Sequence, residues 1–180
     1  MRKIGLFGGA FDPVHEGHIH IATLALNRLG LDQIVFIPVG IAVHKKQPEF
    51  PTQKRFELLK KAIQHNAKFV ISTVEIDKKA PGYAIDTIRA LTAPGAEYTG
   101  VDLYYIIGTD AFEQIFTWKE PEALLTAMTF IVVARPGYDF MTIERLFTEP
   151  AREKYLDKVL LIEDVGIALS STKIRESYKT

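Results

Sequence analysis

Short runs of consecutive apolar residues alternate along the chain with stretches in which apolar residues recur at helical spacing. The runs predict buried strands, because a strand that is covered on both faces needs no polar alternation. Ile19, Ala22 and Leu26 illustrate the second pattern, since their spacing places them on one face of a helix. The predicted strands are residues 4–7, 34–37, 69–76, 103–107, 130–134 and 159–162, and the predicted helices are residues 18–29, 52–64, 84–91, 121–125 and 171–178.

The alternation of such strands with helices indicates a parallel sheet covered by helices on both faces, a doubly wound, three-layer α/β/α fold. The 180 residues suit one hydrophobic core, so we expect a single domain spanning residues 1–180. In folds of this kind, ligands bind beyond the carboxyl ends of the strands, where the strand order reverses. The candidate chemistry should therefore follow the strand ends.

Composition removes several classes of protein from consideration. The 22 basic and 22 acidic residues cancel, so no overall field attracts nucleic acid or an anionic membrane. The absence of cysteine excludes disulfides, thiolate nucleophiles and cysteine-bound zinc, and it suits a reducing compartment. No apolar run reaches the roughly 18 residues that a membrane span needs. We therefore expect a cytoplasmic protein with neither a nucleic acid nor a membrane as its partner.

The first predicted strand leads into the sequence GGAFDPVHEGH, residues 8–18. Gly8 and Gly9 lack side chains, so their backbone amides can approach an anion closely. The helix that follows offers the positive end of its dipole to the same anion. A Walker loop needs a Gly-Lys-Ser/Thr ending, and a dinucleotide fingerprint needs another glycine spacing. The segment therefore predicts a phosphate-binding loop of a different kind.

His15 and His18 lie three residues apart at the start of this helix. At that spacing both imidazoles can face one anion and donate hydrogen bonds to a phosphate whose charge grows in a transition state. Two other roles remain open: metal ligation, which would need a third ligand, and local capping of the helix. Only the phosphate role also accounts for the paired glycines, so we favour it.

A basic segment follows the second predicted strand. Residues 44–61 hold six lysines and arginines against two glutamates, in a chain without net charge. The cations within the predicted helix fit its solvated face, and we assign its inner face to Phe56, Leu59 and Ile63. Lys45 instead precedes the helix, on a loop after a strand end, where a cation can reach a bound phosphate.

The last predicted helix begins with three hydroxyl side chains, Ser170, Ser171 and Thr172, and Arg175 lies about one turn further on. The hydroxyls can cap free backbone amides or turn toward a phosphate. The arginine guanidinium has a fork that suits phosphate oxygens. Helix capping and phosphate binding are both open on these residues alone.

Residues 8–18 resemble the signature of the nucleotidyltransferase superfamily with a His-x-Gly-His motif, in particular that of bacterial nicotinate-nucleotide adenylyltransferases. The resemblance continues, in the family's order, through IIGTD at 106–110, Trp118, VARPGY at 133–138 and LSSTKIR at 169–175. It implies a Rossmann-like nucleotidyltransferase fold and a direct, in-line reaction. In that reaction the phosphate of nicotinic acid mononucleotide attacks the α-phosphorus of ATP, which gives deamido-NAD and pyrophosphate.

The resemblance also implies roles for individual residues. The catalytic residues, which act on the phosphates, would be His15, His18, Lys45 and Arg175. The ATP site would comprise Gly8, Gly9, Phe11, His15, His18, Gly108, Asp110, Arg135, Ser170, Ser171, Thr172 and Arg175. The acceptor site would comprise Asp12, Lys45, Tyr83, Asp86, Thr87 and Trp118. Thr87 would lie near the pyridine carboxylate, and the Trp118 indole would stack on the pyridine ring. Mg²⁺ would be bound through the ATP phosphates, without a metal site on the protein.

Three features depart from the family pattern. Residues 42–45 read AVHK where the family commonly has Pro-Pro-His-Lys, and Lys119 follows Trp118 where an aromatic residue is frequent. The chain ends five residues after Arg175, without the further C-terminal helix that is usual in the family. Two alternatives stay open: a sibling enzyme acting on nicotinamide mononucleotide or phosphopantetheine, and a nucleotide-binding module without catalysis. The sequence also leaves open whether the chain forms a homo-oligomer.

Overall fold

Six parallel strands form one sheet in the order β3-β2-β1-β4-β5-β6, in a computed structural model that describes residues 1–43, 46–78, 80–134 and 138–163. The doubly wound α/β class predicted from the sequence is confirmed. The strands are β1 (Lys3–Gly9), β2 (Gln33–Pro38), β3 (Phe69–Ile71), β4 (Asp102–Gly108), β5 (Thr129–Ala134) and β6 (Val159–Glu163). The helices are α1 (Glu16–Arg28), α2 (Thr52–Ile63), α3 (Ala84–Thr92), α4 (Thr109–Phe112), α5 (Pro121–Ala127), α6 (Phe140–Glu144) and α7 (Ala151–Tyr155), and 3₁₀ turns cover Ile115–Thr117 and Leu156–Lys158.

Helices pack on both faces of the sheet, and the alternation of side chains along each strand decides which helices they meet. Leu6 belongs to the core that includes Ile88 and the other buried apolar residues of α3 to α7. Phe7 points to the opposite face, where Leu26 of α1 and Leu59 of α2 complete a second core. Burial of these large apolar side chains is the main favourable contribution to the stability of the fold.

The strand order reverses next to β1. β1 pairs with β2 on one side and with β4 on the other, so that Leu6 lies beside both Val35 and Tyr105. The chain leaves these neighbouring strands at Gly9 and Gly108 and continues into α1 and α4 respectively. A reversal of this kind opens a crevice at the carboxyl ends of the strands, which is where this class of fold binds ligands.

The prediction of a strand over residues 69–76 is wrong in its second half. β3 ends at Ile71, and residues 74–76 form a turn in which Glu75 is buried. The sequence pattern also does not predict α4, α6 and α7, because helices of four or five residues are too short to show helical periodicity. The predicted helix over residues 171–178 lies outside the described residues. Within the described part of the chain, no helix has the length and apolar character to cross a membrane.

Candidate active site

The loop that follows β1 turns sharply at Phe11, whose φ of 44° is rare for a residue with a side chain. The Phe11 ring is 2% exposed and packs against Phe7, with ring centroids 5.5 Å apart. It also lies directly beneath Gly9, where an added Cβ would come within 3.2 Å of the ring. The ring is therefore part of the core, which leaves the backbone of Phe11 for the nucleotide contact that we predicted for that backbone.

His15 and His18 stand together where α1 begins. Their ring centroids are 3.8 Å apart, and the backbone N–H of His15 donates a 3.2 Å hydrogen bond to Nδ1 of His18. Because Nδ1 of His18 accepts this bond, its neutral ring carries the proton on Nε2. Nδ1 of His15 is buried, and no described residue offers it a hydrogen-bond partner. Each neutral ring carries one N–H, so the pair can donate two hydrogen bonds, and that of His18 lies on Nε2.

Both imidazoles are held in the neutral form. Burial lowers the pKa of His18 to about 3, and the nearby His15 acts in the same direction. Burial also lowers the pKa of His15. A neutral imidazole still donates one hydrogen bond, so the pair can contact a phosphate without first being protonated. A bound phosphate would bring negative charge to the site and raise both pKa values.

Asp12 connects the loop after β1 to the segment before α2. Its buried carboxylate accepts hydrogen bonds of 2.8 Å from the backbone N–H groups of Glu49 and Phe50, one at each oxygen. Both oxygens therefore hold the loop after β1 against the segment before α2.

Arg55 of α2 is a buried cation, although its sequence predicts a place on the solvated face of the helix. Its guanidinium donates to the carbonyl oxygens of Ala10 at 2.6 Å and Val39 at 2.9 Å, and its Nε donates to the carbonyl oxygen of Phe50 at 3.2 Å. A cation this deeply buried, with 1% of its surface exposed, is tolerable only because so many acceptors surround it. The side chain holds the phosphate-binding loop, the exit of β2 and the entry to α2 in one arrangement.

The inner face of α2 differs from the prediction. Its buried residues are Arg55, Leu59 and Ile63, at intervals of four, whereas Phe56 is only partly buried. The spacing of Arg55, Leu59 and Ile63 can be seen in the sequence, but a charged residue such as Arg55 is normally expected to face the solvent. The carbonyl groups that accept from Arg55 come from distant parts of the chain, which sequence spacing alone does not bring together.

Tyr83, Asp86 and Trp118 come together around Lys119. The Lys119 ammonium lies 3.0 and 2.9 Å from the two carboxylate oxygens of Asp86, and 5.0 Å from the centroid of the Tyr83 ring. Trp118 is partly buried, and its ring meets the Tyr105 ring edge-on with centroids 6.1 Å apart. These contacts join the start of α3 to the turn before α5. Three of the residues predicted for the acceptor site therefore share one surface of the protein.

Thr87 is 2% exposed, and its hydroxyl is already engaged. Oγ1 donates a 2.9 Å hydrogen bond to Oε1 of Glu75 and accepts one of 3.3 Å from Nζ of Lys78. Burial raises the pKa of Glu75, while the Thr87 hydroxyl acts in the opposite direction. The single hydroxyl proton of Thr87 is thus donated to Glu75 and not to a ligand. Glu75 is not among the predicted site residues, because the pattern over residues 69–76 predicts a strand there.

The residues predicted to contact adenosine follow β4. Gly108 precedes α4, and a Cβ added there would meet no atom within 4 Å. Asp110 is exposed in the first turn of α4. The space beside Gly108 leaves room for a nucleotide. The other predicted phosphate or nucleotide contacts, Lys45, Arg135, Ser170, Ser171, Thr172 and Arg175, lie outside the described residues.

Known proteins share both the motif and the fold. The family model described as cytidylyltransferase-like matches residues 6–177. A protein of Clostridium tetani named probable nicotinate-nucleotide adenylyltransferase is 40% identical over 182 residues, covering 99% of this chain and 88% of the relative. A protein of Desulfitobacterium hafniense with the same name is 36% identical, covering 99% and 84%. The nicotinic acid mononucleotide adenylyltransferase of Plasmodium falciparum, solved in complex with NaAD, shares the fold with a TM-score of 0.69 at 21% identity, covering 98% of this chain and 83% of that one.

A parallel sheet that carries a glycine-rich loop and paired histidines at its reversal point defines a nucleotidyltransferase of the cytidylyltransferase-like class. Within this class, the two relatives that are 40% and 36% identical over nearly the whole chain are both named as nicotinate-nucleotide adenylyltransferases. The chain belongs to the nicotinate-nucleotide adenylyltransferase family.

Proposed function

We propose that the protein transfers the adenylyl group of ATP to nicotinic acid mononucleotide, with deamido-NAD and pyrophosphate as products, in the biosynthesis of NAD. The observation that carries this proposal is the neutral pair of His15 and His18 at the start of α1, directly after Gly8 and Gly9. The names of the relatives in Clostridium tetani and Desulfitobacterium hafniense support the choice of acceptor.

The reaction needs no covalent intermediate on the protein. An oxygen of the acceptor's 5′-phosphate forms a bond to the α-phosphorus of ATP. The bond from that phosphorus to the bridging oxygen breaks, and pyrophosphate leaves with the electron pair. Catalysis of such a step consists mainly of positioning and charge stabilisation. The protein therefore has to hold two phosphorylated molecules in line and stabilise the charge that develops between them.

The start of α1 supplies donors for that charge. The Nε2–H of His18 donates to a phosphate oxygen at the reacting centre, and the neutral ring of His15, with its centroid 3.8 Å away, donates its own N–H to the same phosphate. The amides after Gly8 and Gly9, together with the helix dipole, bind the remaining phosphate oxygens. By the family resemblance, Lys45, Arg175 and the hydroxyls of residues 170–172 add further contacts to the polyphosphate.

Magnesium enters as part of the substrate, bound to the phosphates of ATP. In the described part of the chain, no group of three or more histidine, aspartate or glutamate side chains converges to hold a metal ion. The nucleotide itself supplies phosphate oxygens, the ligands that Mg²⁺ prefers. The ion would neutralise part of the charge on the phosphates and so assist the departure of pyrophosphate.

The acceptor occupies the surface around Lys119. The Trp118 indole stacks on the pyridine ring, because a flat, electron-poor ring suits an electron-rich aromatic face. Tyr83 and Asp86 border the same surface through their contacts with Lys119. Thr87, held by Glu75, fixes the first turn of α3 beside the pyridine carboxylate.

We place the reaction in the cytoplasm, in keeping with a chain that contains no cysteine.

Pyrophosphate release by the purified protein tests the proposal. The protein is incubated with magnesium-ATP and, in separate reactions, nicotinic acid mononucleotide, nicotinamide mononucleotide or phosphopantetheine. Preference for the first acceptor is the expected result. Release with either of the others would keep the phosphate chemistry but overturn the assignment of the acceptor. ATP binding without release, for every acceptor, would identify a nucleotide-binding module instead.

A further inference from the structure

The hydroxyl of Tyr105 lies at the point where the strand order reverses. Tyr105 belongs to β4 and sits beside Leu6 of β1, and its side chain shares the sheet face of Leu6. Gly8 lies two residues further along β1 and therefore faces the same side. A Cβ added to Gly8 would come within 2.6 Å of the Tyr105 Oη. The hydroxyl thus fills the space that the absent side chain of Gly8 leaves at the edge of the crevice.

The same side chain touches the acceptor surface. The Tyr105 ring meets the Trp118 ring edge-on, with centroids 6.1 Å apart and planes at 84°. Behind it, the Tyr105 ring packs on Phe130, with centroids 5.7 Å apart, so the body of the residue is fixed in the core. Tyr105 therefore bridges the phosphate-binding loop and the tryptophan on which the pyridine ring is proposed to stack.

The Tyr105 hydroxyl is available to a ligand as a donor. No described residue forms a hydrogen bond with it, and Tyr105 is only partly buried, so the hydroxyl is not among the fully buried polar atoms and borders the crevice. Burial and the nearby charge of Glu75 raise the pKa of Tyr105, so the phenol stays protonated at neutral pH. A protonated phenol with a fixed ring and no partner among the described residues can donate one hydrogen bond to an oxygen that enters the crevice.

We propose that the Tyr105 hydroxyl binds the acceptor, by donating a hydrogen bond to an oxygen of its ribose 5′-phosphate portion. This inference rests on the proposed function, in which the pyridine ring stacks on Trp118 and the acceptor phosphate approaches the histidines of α1. The ribose phosphate must then span the distance from the indole to the loop after Gly8. Tyr105 contacts both ends of that span, and ATP, on the far side of the reacting phosphorus, does not need this donor.

Tyr105→Phe removes only the hydroxyl and keeps the ring contacts with Trp118 and Phe130. We expect the KM for nicotinic acid mononucleotide to rise about three- to tenfold, which corresponds to the loss of one hydrogen bond. The KM for ATP should stay within about twofold of wild type, because the contact is to the acceptor. Tyr104→Phe is the matched control, since Tyr104 is the preceding residue of β4 and points to the opposite face. It should leave both KM values unchanged.

Trp118→Ala, assayed alongside, separates failure of this inference from failure of the proposed site. If Trp118→Ala raises the KM for the acceptor and Tyr105→Phe does not, the role of Tyr105 is wrong and the acceptor surface stands. If neither variant changes that KM, the acceptor lies elsewhere and both assignments fall. A rise in the KM for ATP alone in Tyr105→Phe would also overturn the inference. Thermal unfolding of Tyr105→Phe should match wild type, so that a change in KM reports binding and not a loss of fold.

Discussion

The backbone N–H of His15 donates to Nδ1 of His18, at 3.2 Å, and this one bond decides which nitrogen of His18 can face a substrate. With Nδ1 committed to the start of α1, the proton of the neutral ring lies on Nε2. The structural and chemical roles of His18 therefore belong to different ring nitrogens. Substitutions that imitate one nitrogen and not the other can separate the two roles.

His18→Asn tests this separation. The asparagine Oδ1 reaches the same position as Nδ1 and can accept from His15, but nothing replaces Nε2–H. We expect a fall in kcat of about a hundredfold or more, as for the loss of one charge-stabilising donor, with thermal unfolding close to wild type. His18→Ala should lose kcat to a similar extent and also lose about 1 kcal/mol of stability, because the bond at the helix start is gone. Steady-state kinetics and thermal melts of the two variants are the measurements, and full activity in His18→Asn would remove Nε2–H from the mechanism.

The pKa of His18 makes a prediction about the stability of the fold in acid. The native pKa is about 3, below the ordinary value of 6.5, so between these values the unfolded chain binds a proton that the folded chain does not. Stability is therefore fully present above pH 6.5 and falls as the pH drops toward 3, with a slope that approaches about 1.4 kcal/mol per pH unit for one proton. His15 acts in the same direction.

Urea unfolding of wild type and His18→Asn at pH 7.5, 6.0 and 5.0 measures this slope. The variant lacks the titrating group, so its stability should fall less steeply over this range than that of wild type. The difference between the two proteins also cancels the contribution of other titrating groups, such as Glu75. Parallel curves would mean that His18 titrates in the folded protein at its ordinary pKa, and that burial does not keep it neutral in acid.

Arg55 offers a test of how the phosphate-binding loop is held. Arg55→Lys keeps the charge, but an ammonium cannot reach all the acceptors that the planar guanidinium fork satisfies on three chain segments. We expect a loss of about 3 kcal/mol in the free energy of unfolding, because buried carbonyl groups lose their donors. The kcat/KM for ATP should fall as well, since the Ala10 carbonyl belongs to the loop before His15.

Lys60→Ala is the matched control, because Lys60 lies on the same helix and is exposed. It should change stability by no more than about 0.5 kcal/mol. Chemical denaturation measures the free energy of unfolding of both variants, and steady-state kinetics measure their kcat/KM for ATP. If Arg55→Lys were as stable and active as Lys60→Ala, the guanidinium contacts would contribute nothing to the loop.

The sequence predicts the sheet well because strands such as β1, β2 and β5 are buried on both faces and therefore read as unbroken apolar runs. Ile34 to Ile37 is such a run, and it forms the inner part of β2. The same rule misplaces the end of β3, since residues 72–76 continue the β-branched composition of a strand but lie outside it, with a turn at residues 74–76. Local composition cannot distinguish the two, because the turn depends on contacts with other elements. One such contact is the close approach of Gly40 to the Glu75 backbone.

In the candidate site, too, local features can be predicted from the sequence, whereas features that depend on distant contacts cannot. The glycines and histidines of the first loop are contiguous in the sequence, so their joint role can be predicted from spacing. Arg55 and Glu75 act through partners that lie far away in sequence, which include Ala10 and Thr87 respectively. A buried charge of this kind becomes visible only when the fold brings its partners together.

The hydrogen bond from Thr87 to Glu75 makes a further prediction that depends on pH. Thr87→Val removes the hydroxyl at nearly constant volume and leaves a buried carboxylate without this donor. We expect a loss of about 1–3 kcal/mol in the free energy of unfolding and a higher KM for the acceptor, because α3 loses its anchor to the turn at residues 74–76. Thr87→Ser retains the hydroxyl and serves as the matched control, with most of both properties preserved.

The pH dependence identifies Glu75 as the partner. Burial raises the native pKa of Glu75 above its ordinary 4.5, and loss of the Thr87 donor, which favours the ionised form, raises it further. A carboxyl with a raised native pKa contributes stability at low pH and loses it as the pH rises through the native value. The stability difference between wild type and Thr87→Val should therefore be larger at pH 8 than at pH 4.5, as measured by urea unfolding. A difference that does not change with pH would mean that the valine acts through packing alone. The same comparison is made with Glu75→Gln and the double variant Glu75→Gln, Thr87→Val. The stability difference between these two proteins should not depend on pH, because the amide does not titrate.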